Sequence, residues 1–359
     1  MENMEGLSDY KNLKVLVTGH TGFKGAWLSV WLHHLGANVI GFSLEKSHND
    51  ELYQQIKDKG VFYADEKGDI RNYSHIKNVF KKYSPNIVFH LAAQALVRES
   101  YKEPRYTFET NVLGTANLLD CINNSETKSA VIVTTDKCYK NKEQIWPYRE
   151  KDELGGKDPY SCSKACAELV ISSYRDSFFS QKQILVSSVR AGNVVGGGDW
   201  SKDRLIPDCI KSLMANKPIK IRNPNSQRPW QHVLEPLYGY LLIGLKLMRG
   251  DKLYADSFNF GPKPGDIIQV RGVVDIVIKY WGKGEWISSG SDSEKFHEAK
   301  LLNLDITKSN LMLNWTPVYN IEDSIRLATE WYRNNKERTG YELCIAQIRD
   351  YSRIREDEI

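Results

Sequence analysis

Several familiar signatures are missing from this 359-residue chain. None of the six cysteines (Cys121, Cys138, Cys162, Cys166, Cys209, Cys344) forms a CxxC pair. None of the eight histidines falls in an HExxH pattern. Together these absences argue against a zinc site or a disulfide framework, and no metal is expected. Cys162 and Cys166 are four apart on a helical stretch, which reads as two small thiols in a reducing compartment. There is no basic block either. The net charge is +4, and the 26% of charged residues are of mixed sign throughout. Nucleic acid is therefore not expected as the main partner, while a local basic pocket for a phosphorylated ligand stays open. No long hydrophobic run exists. The stretch around Leu241–Leu247 is too short and interrupted to span a bilayer, and the opening MENMEGLSDYKNLK has no apolar h-region. The expectation is a cytoplasmic protein with no membrane partner. Internal repeats and low-complexity tracts are absent too.

What the chain has is alternation. Short apolar runs predict strands at Lys14–Thr18, Asn38–Phe42, Ile87–Leu91, Ala130–Thr134 and Ile184–Arg190. Helical stretches are predicted between them at Ala26–Leu35 (stopped by Gly36), Ser74–Tyr83, Thr107–Ile122 and Tyr160–Phe179. Strands continuous in Val, Ile and Leu argue for a parallel sheet covered on both faces. Right-handed crossovers make that a doubly wound α/β, Rossmann-type fold. After about residue 190 Gly, Pro, Asn and Trp become frequent, as in GNVVGGGDW and FGPKPGD. Residues 1–190 are expected to form a dinucleotide-binding domain. Residues 191–359 are expected to form mainly a smaller, loop-rich substrate lobe, with some segments returning to the sheet. The charged tail Arg353–Ile359 is expected to fray.

Between the first strand and its helix lies TGHTGFKG, with Gly19, Gly22 and Gly25 spaced GxxGxxG. Glycines let the backbone turn tightly beneath a pyrophosphate, and the helix N-terminus directs N–H dipoles at the anion. A nucleoside-triphosphate P-loop needs GxxxxGK[ST], but here Lys24 precedes Gly25 and no Ser or Thr follows. Glu45 stands twenty residues after Gly25, where a carboxylate holds a ribose diol and disfavours a 2′-phosphate. This points to NAD rather than NADP.

Tyr160 and Lys164 (YSCSK) are four apart at the start of a helix and share a face. An ammonium beside a phenol is expected to lower the Tyr pKa from about 10 toward neutrality, making it a base for a sugar hydroxyl. One helix earlier, VIVTTDKCYK carries Asp136 and Lys137 directly past a buried strand. An exposed turn after a strand is the plain alternative.

These stretches resemble the extended short-chain dehydrogenases/reductases, and within them the nucleotide-sugar 4,6-dehydratases, the branch acting on CDP-glucose above all. The resemblance rests on GHTGFKG (19–25), FHLAAQ (89–94), TNVLGT (110–115), TTDKCY (134–139), YSCSK (160–164), RAGNVVGGGDW (190–200), RLIPD (204–208) and RPWQHVLEPL (228–237). It runs from about Lys14 to about Pro317. It implies NAD held by Gly19, Thr21, Gly22, Phe23, Lys24, Gly25, Glu45, Asp69, Ile70, Leu91, Ala92, Ala93, Asn111, Thr134, Tyr160 and Lys164. It implies a nucleotide sugar, expected to be CDP-glucose, bound by Gln94, Asn193, Arg204, Leu205, Arg228 and Tyr160, with Asn111 also on the substrate side. Arg228 is similar to the family's arginine on the nucleotide pyrophosphate. A merely solvated arginine is the alternative there and at Arg204.

The implied reaction is a lyase reaction. Hydride leaves C4 while Tyr160, supported by Lys164 and Thr135, takes the O4 proton. Water is then lost across C5–C6, with Asp136 protonating O6, and hydride returns to C6. Many relatives resemble TDE here, with Glu as the C5 base, whereas this chain has Lys137. Lys137 can be a base if burial or cations lower its pKa, or a charge that stabilises an enolate or positions Asp136. A 4-epimerase or a cofactor sensor without catalysis are the alternatives, beside a 4,6-dehydratase for another nucleotide sugar. The pair Asp136–Lys137 disfavours the first, and the complete Tyr–Lys–Thr set the second. His90 and His232 are read as packing residues. The stretches Thr107–Ile122 and Tyr160–Phe179 resemble the helices of a four-helix interface, which implies a homodimer or tetramer.

Overall fold

The structure is a computed structural model that describes residues 6–45, 50–263, 265–288, 290 and 301–357. Its strands, in chain order, are β1 Lys14–Thr18, β2 Asn38–Ser43, β3 Phe62–Lys67, β4 Ile87–His90, β5 Ser129–Val133, β6 Leu185–Ala191, β7 Asn193–Val195, β8 Ile219–Ile221, β9 Gln227–His232, β10 Ser257–Phe260, β11 Ile267–Gln269 and β12 Trp286–Ser288. Seven of them make one parallel sheet in the order β10-β6-β5-β4-β1-β2-β3. The chain winds outward from β1 through β2 to β3. It then returns to β4 on the other side of β1 and winds the opposite way. The reversal between β1 and β4 opens a crevice at the strands' carboxyl ends.

The central strands are apolar along their length because helices cover both faces. β4, β5 and β6 are buried at every residue. One face packs on Trp27, Trp31, Leu237 and Leu241, the other on Ile76, Leu118, Ile122 and Ile171. The apolar run Leu241–Leu247 belongs to the helix Leu234–Met248, which packs behind β5 and β6. No helix among the described residues is long and apolar enough to cross a membrane.

Two strands of the sheet have no counterpart in the sequence reading. β3 (FYADEK) lies at the sheet's edge with alternating exposure, so it carries charges where an inner strand carries Val and Ile. β10 (SFNF) is four residues long at the other edge, and its Asn259 hydrogen-bonds Tyr139 and Tyr148.

Both long predicted helices are also interrupted. The first is Pro104–Phe108, then a π-turn at Glu109–Leu113, then Gly114–Asn123. The second is Pro159–Tyr174 continued by a π-turn at Arg175–Phe179. At the first break Gly114 lets the helix close on Ile70, whose Cγ2 would lie 2.7 Å from an added Cβ.

A three-stranded sheet, β11-β9-β7, and a two-stranded one, β12-β8, lie beyond β6. The expected fraying from Arg353 does not occur over the described residues. The helix Gly340–Asp357 continues through it, because Arg355 is buried and ion-paired with Glu235. Residues 358 and 359 lie outside the described residues.

Candidate active site

The glycine loop separates steric need from open space. Gly19 has φ 73°, and a Cβ there would lie 2.6 Å from the Ala92 nitrogen, where the ends of β1 and β4 meet. A Cβ on Gly25 would lie 2.1 Å from the Gly19 carbonyl oxygen. Both glycines are therefore fixed by the protein's own packing. Gly22 is different: a Cβ would meet only the Gly19 oxygen, at an ordinary 3.4 Å. Gly22 is the N-cap of the helix Phe23–His34 and supplies no side chain to its first N–H groups. Space above an uncapped helix N-terminus fits a pyrophosphate. Thr21 Oγ1 lies 2.8 Å from Ser43 Oγ at the end of β2, and Glu45 is exposed two residues further on.

Several residues expected to touch a ligand also have partners within the protein. Asn111 accepts from the Gln94 amide (2.8 Å) and donates to the Gln94 carbonyl (3.0 Å) and Ser163 Oγ (2.8 Å). The Gln94 side chain bonds Leu96 and Thr107. These two buried amides clamp the loop after β4 to the helix Pro159–Tyr174. Phe23 and Ile70 bury their side chains in the two cores, leaving only backbone at the edge. Thr134 donates to Glu168 Oε1 at 2.5 Å. Asp69 is held by the Arg71 fork, which keeps its carboxyl below the usual range although burial opposes this. Leu91 and Leu205 pack against the core, and Ala92 and Ala93 are half-buried, Ala92 beside Gly19.

The catalytic candidates do converge. Past β5, Thr135 donates to Asp136 Oδ1 (2.9 Å) and accepts from the Lys137 amide (3.3 Å). The Lys137 ammonium also reaches Asp136 Oδ1, at 3.2 Å. Asp136 is 2% exposed, while the Lys137 side chain is 34% exposed. Across from them Tyr160 opens the helix Pro159–Tyr174, capped by Asp158 on the Ser161 amide. The Tyr160 hydroxyl faces Thr135, which favours its ionised form. Lys164 follows one turn on and donates to the Val133 carbonyl at 3.1 Å.

The expected lowering of Tyr160 is not what this site produces. Burial pushes its pKa up to about 12, and the Asp136 carboxylate adds to that, while Thr135 and Arg204 oppose it. Lys164 is drawn down to about 8 by burial, and its hydrogen bond goes to backbone rather than to the phenol. Arg204 starts the helix Leu205–Met214, pairs with Asp199 at 3.0 Å and faces Tyr160. Asn193 lies on β7 and Arg228 on β9, neighbouring strands of the small sheet. His90, fully buried, bonds Thr18 and Thr115, and burial lowers it to about 3.

Sequence reasoning missed a buried layer beneath this site. Glu168 receives Arg190 through two bonds (2.9 and 2.8 Å), plus Ser188 and Thr134. Its position four residues after Lys164, on the same helical face, was the available signal. His20 was passed over as well. It is tied to Asp65 on β3 at 2.9 Å, with its ring over Gly41.

A family model described as GDP-mannose 4,6 dehydratase matches residues 16–328. The chain belongs to that family. The CDP-glucose 4,6-dehydratase of Salmonella typhimurium is 43% identical over 331 residues, covering 90% of this chain and 91% of that one. Among solved structures, an epimerase from Methanothermobacter thermautotrophicus superposes with a TM-score of 0.80 at 21% identity, covering 93% and 96% of the two chains. The dTDP-glucose 4,6-dehydratase of Bacillus anthracis gives 0.75 at 23%, covering 90% and 98%. These two share the doubly wound sheet found here.

Proposed function

We propose that this chain is a nucleotide-sugar 4,6-dehydratase acting on CDP-glucose with NAD. The observation that carries the reading is the turn past β5. There a hydroxyl, a buried carboxylate and an ammonium (Thr135, Asp136, Lys137) are hydrogen-bonded together opposite Tyr160. The choice of CDP rests on the likeness to the Salmonella enzyme across nine-tenths of the chain.

NAD fits the residues present: the space at Gly22, the uncapped helix and the exposed Glu45 suit its pyrophosphate and ribose diol. When bound, NAD would supply the hydride acceptor for sugar C4 and the hydride donor for C6. The chain's own residues handle the protons. Tyr160, whose ionised form Thr135 and Arg204 favour against burial, removes the O4 proton. The C4 ketone then acidifies the C5 proton. Asp136, shielded from water and 3.2 Å from the Lys137 ammonium, takes that proton and gives it to O6 as the C6–O6 bond breaks, while the Lys137 amine so formed receives the C5 proton. Lys137 stands where relatives carry a carboxylate base, and its charge beside Asp136 also suits an enolate. Arg204 and Arg228 are assigned to the nucleotide sugar, with Asn193 and Leu205 beside them.

We assign the reaction to the cytoplasm, in keeping with six free cysteines. Leu113 and Leu169 are 57% and 59% exposed on the helical segments expected to pair, so we propose that these faces meet in a homo-oligomer.

Incubation with CDP-glucose and NAD tests the activity. A 4-keto-6-deoxy product, seen by its alkali-induced absorbance, is expected. An epimer without keto sugar, or no conversion, would sink the proposal.

A further inference from the structure

The turn that carries Asp136 and Lys137 is loosely bonded within itself. The Cys138 amide reaches the Thr135 carbonyl at 3.3 Å, and the Tyr139 amide reaches the Asp136 carbonyl at 3.4 Å. Both lie beyond the usual N–H···O range. Firmer bonds grip its flanks. Before the turn, Thr134 donates from its amide to the Val189 carbonyl (2.9 Å) and from its hydroxyl to Glu168 Oε1 (2.5 Å). At its end, the Cys138 carbonyl accepts from the Gly155 amide at 2.8 Å. The next residue, Tyr139, donates its hydroxyl to Asn259 Oδ1 at 2.8 Å and accepts from Arg190 Nη1 at 2.7 Å. Tyr139 is fully buried, and its ring stacks on Tyr148 with centroids 5.2 Å apart.

Arg190 ties the two flanks together. It stands on β6 and donates to Glu168 through Nε (2.9 Å) and Nη2 (2.8 Å), while Nη1 serves Tyr139 and the Glu150 carbonyl (3.0 Å). Glu168 continues to Thr134, so one buried guanidinium reaches both ends of the turn. Asn259 has its amide orientation fixed. Its Nδ2 donates to the Tyr148 and Asp305 carbonyls at 2.9 and 3.2 Å, which leaves Oδ1 for the phenol. The redox pair is held by other means. Tyr160 and Lys164 ride on the helix Pro159–Tyr174, anchored by the Asp158 cap and by the Val133 carbonyl. We propose that Tyr139 is a positioning residue for the elimination: pinned by Arg190 and Asn259, it keeps Asp136 and Lys137 in register for the proton transfers at C5 and O6, and it has no part in the oxidation at C4. The inference deepens the function proposed above and rests on it. Proton exchange between Lys137 and Asp136 needs their 3.2 Å contact, and a turn free to shift lengthens it.

Tyr139→Phe in the full chain tests this. It keeps the ring stacked on Tyr148 and beneath Arg190 (4.9 Å) and removes the hydroxyl alone. Single turnovers with NAD separate the two steps. CDP-6-deoxyglucose has no leaving group at C6, so reduced cofactor formed from it reports the C4 oxidation by itself. CDP-glucose, with hydrogen or deuterium at C5, reports the elimination. Tyr139→Phe is expected to oxidise the deoxy analogue at the wild-type rate. Its 4-keto-6-deoxy product should form about tenfold more slowly, the scale of one net hydrogen bond, with a larger deuterium effect than in wild type. Tyr148→Phe is the same deletion elsewhere in the loop, where the lost bonds go to Asn141 and Lys142, and should leave the ratio of the two rates unchanged. Ser257→Ala takes one bond from Arg190 (3.1 Å). It should shift the ratio in the same direction by a smaller factor, and it carries the test if Tyr139→Phe does not fold. Oxidation and elimination falling together, neither falling, or Tyr148→Phe matching Tyr139→Phe overturns the assignment. A wild type that gives no 4-keto-6-deoxy product from CDP-glucose removes the proposed function itself, and this inference with it.

Discussion

Thr135 bridges Tyr160 and Asp136: its hydroxyl faces the phenol and donates to Asp136 Oδ1 at 2.9 Å. The base that takes the O4 proton and the acid that serves O6 are thus joined by one side chain. Thr135→Ser should keep this bridge, while Thr135→Val should lower turnover by about 100-fold, the scale of general acid–base assistance. Steady-state rates for the pair check it. Equal activity of the two variants would count against the bridge.

Asp136→Asn should uncouple oxidation from elimination. The amide keeps the bonds to Thr135 and Lys137 but has no acidic proton for O6. Reduced cofactor should therefore accumulate in a single turnover, with product formation down by about 100-fold or more. Wild-type elimination in this variant would remove Asp136 as the acid.

The glycine loop predicts two different failures. Gly25→Ala drives a Cβ into the Gly19 carbonyl at 2.1 Å and should unfold at a clearly lower temperature. Gly22→Ala should melt like wild type yet bind NAD much more weakly, because its methyl occupies the ligand's space. Calorimetric melting and NAD titration on both variants separate the effects.

Glu168→Gln tests the buried layer. Arg190, with Thr134 and Ser188, holds Glu168 at about 2 against a burial penalty. A depressed carboxyl contributes stability above its unfolded value, near 4.5, and loses it as pH falls through the folded one. Denaturant unfolding should show a loss of about 3–5 kcal/mol at pH 7, the scale for breaking a buried pair. The deficit should shrink from about pH 4.5 down toward pH 2. A deficit constant across that range would contradict the assignment.

Leu169→Glu should shift the protein toward monomer in sedimentation experiments, because it places a charge on the exposed apolar face of the Pro159–Phe179 helical stretch. Unchanged sedimentation would point the interface elsewhere.

Much of this was legible in the sequence for identifiable reasons. β1, β4, β5 and β6 are inner strands, so their apolar runs stand out. The convergence of Thr135, Asp136, Tyr160 and Lys164 follows from motif order on a doubly wound sheet. β3 was hidden because an edge strand with Asp65, Glu66 and Lys67 looks like a loop. The internal bonds of Asn111, Gln94 and Thr134 were not legible, because the polar residues of a motif look alike whether they face a ligand or a neighbouring loop. The Tyr160 shift went the other way because spacing reveals a cation one turn along but not how deeply the phenol is buried.

The ion pair Arg355–Glu235 joins residues 120 positions apart in the chain. Glu235 is fully buried and also holds Tyr351 and the amides of Val318 and Tyr319. During synthesis Glu235 leaves the ribosome long before the arginine that neutralises it. The helix Leu234–Met248 must then either wait unsealed behind β5 and β6 or bury a lone carboxylate. Nascent chains stalled before Arg355 should accordingly be the species that chaperones and proteases encounter.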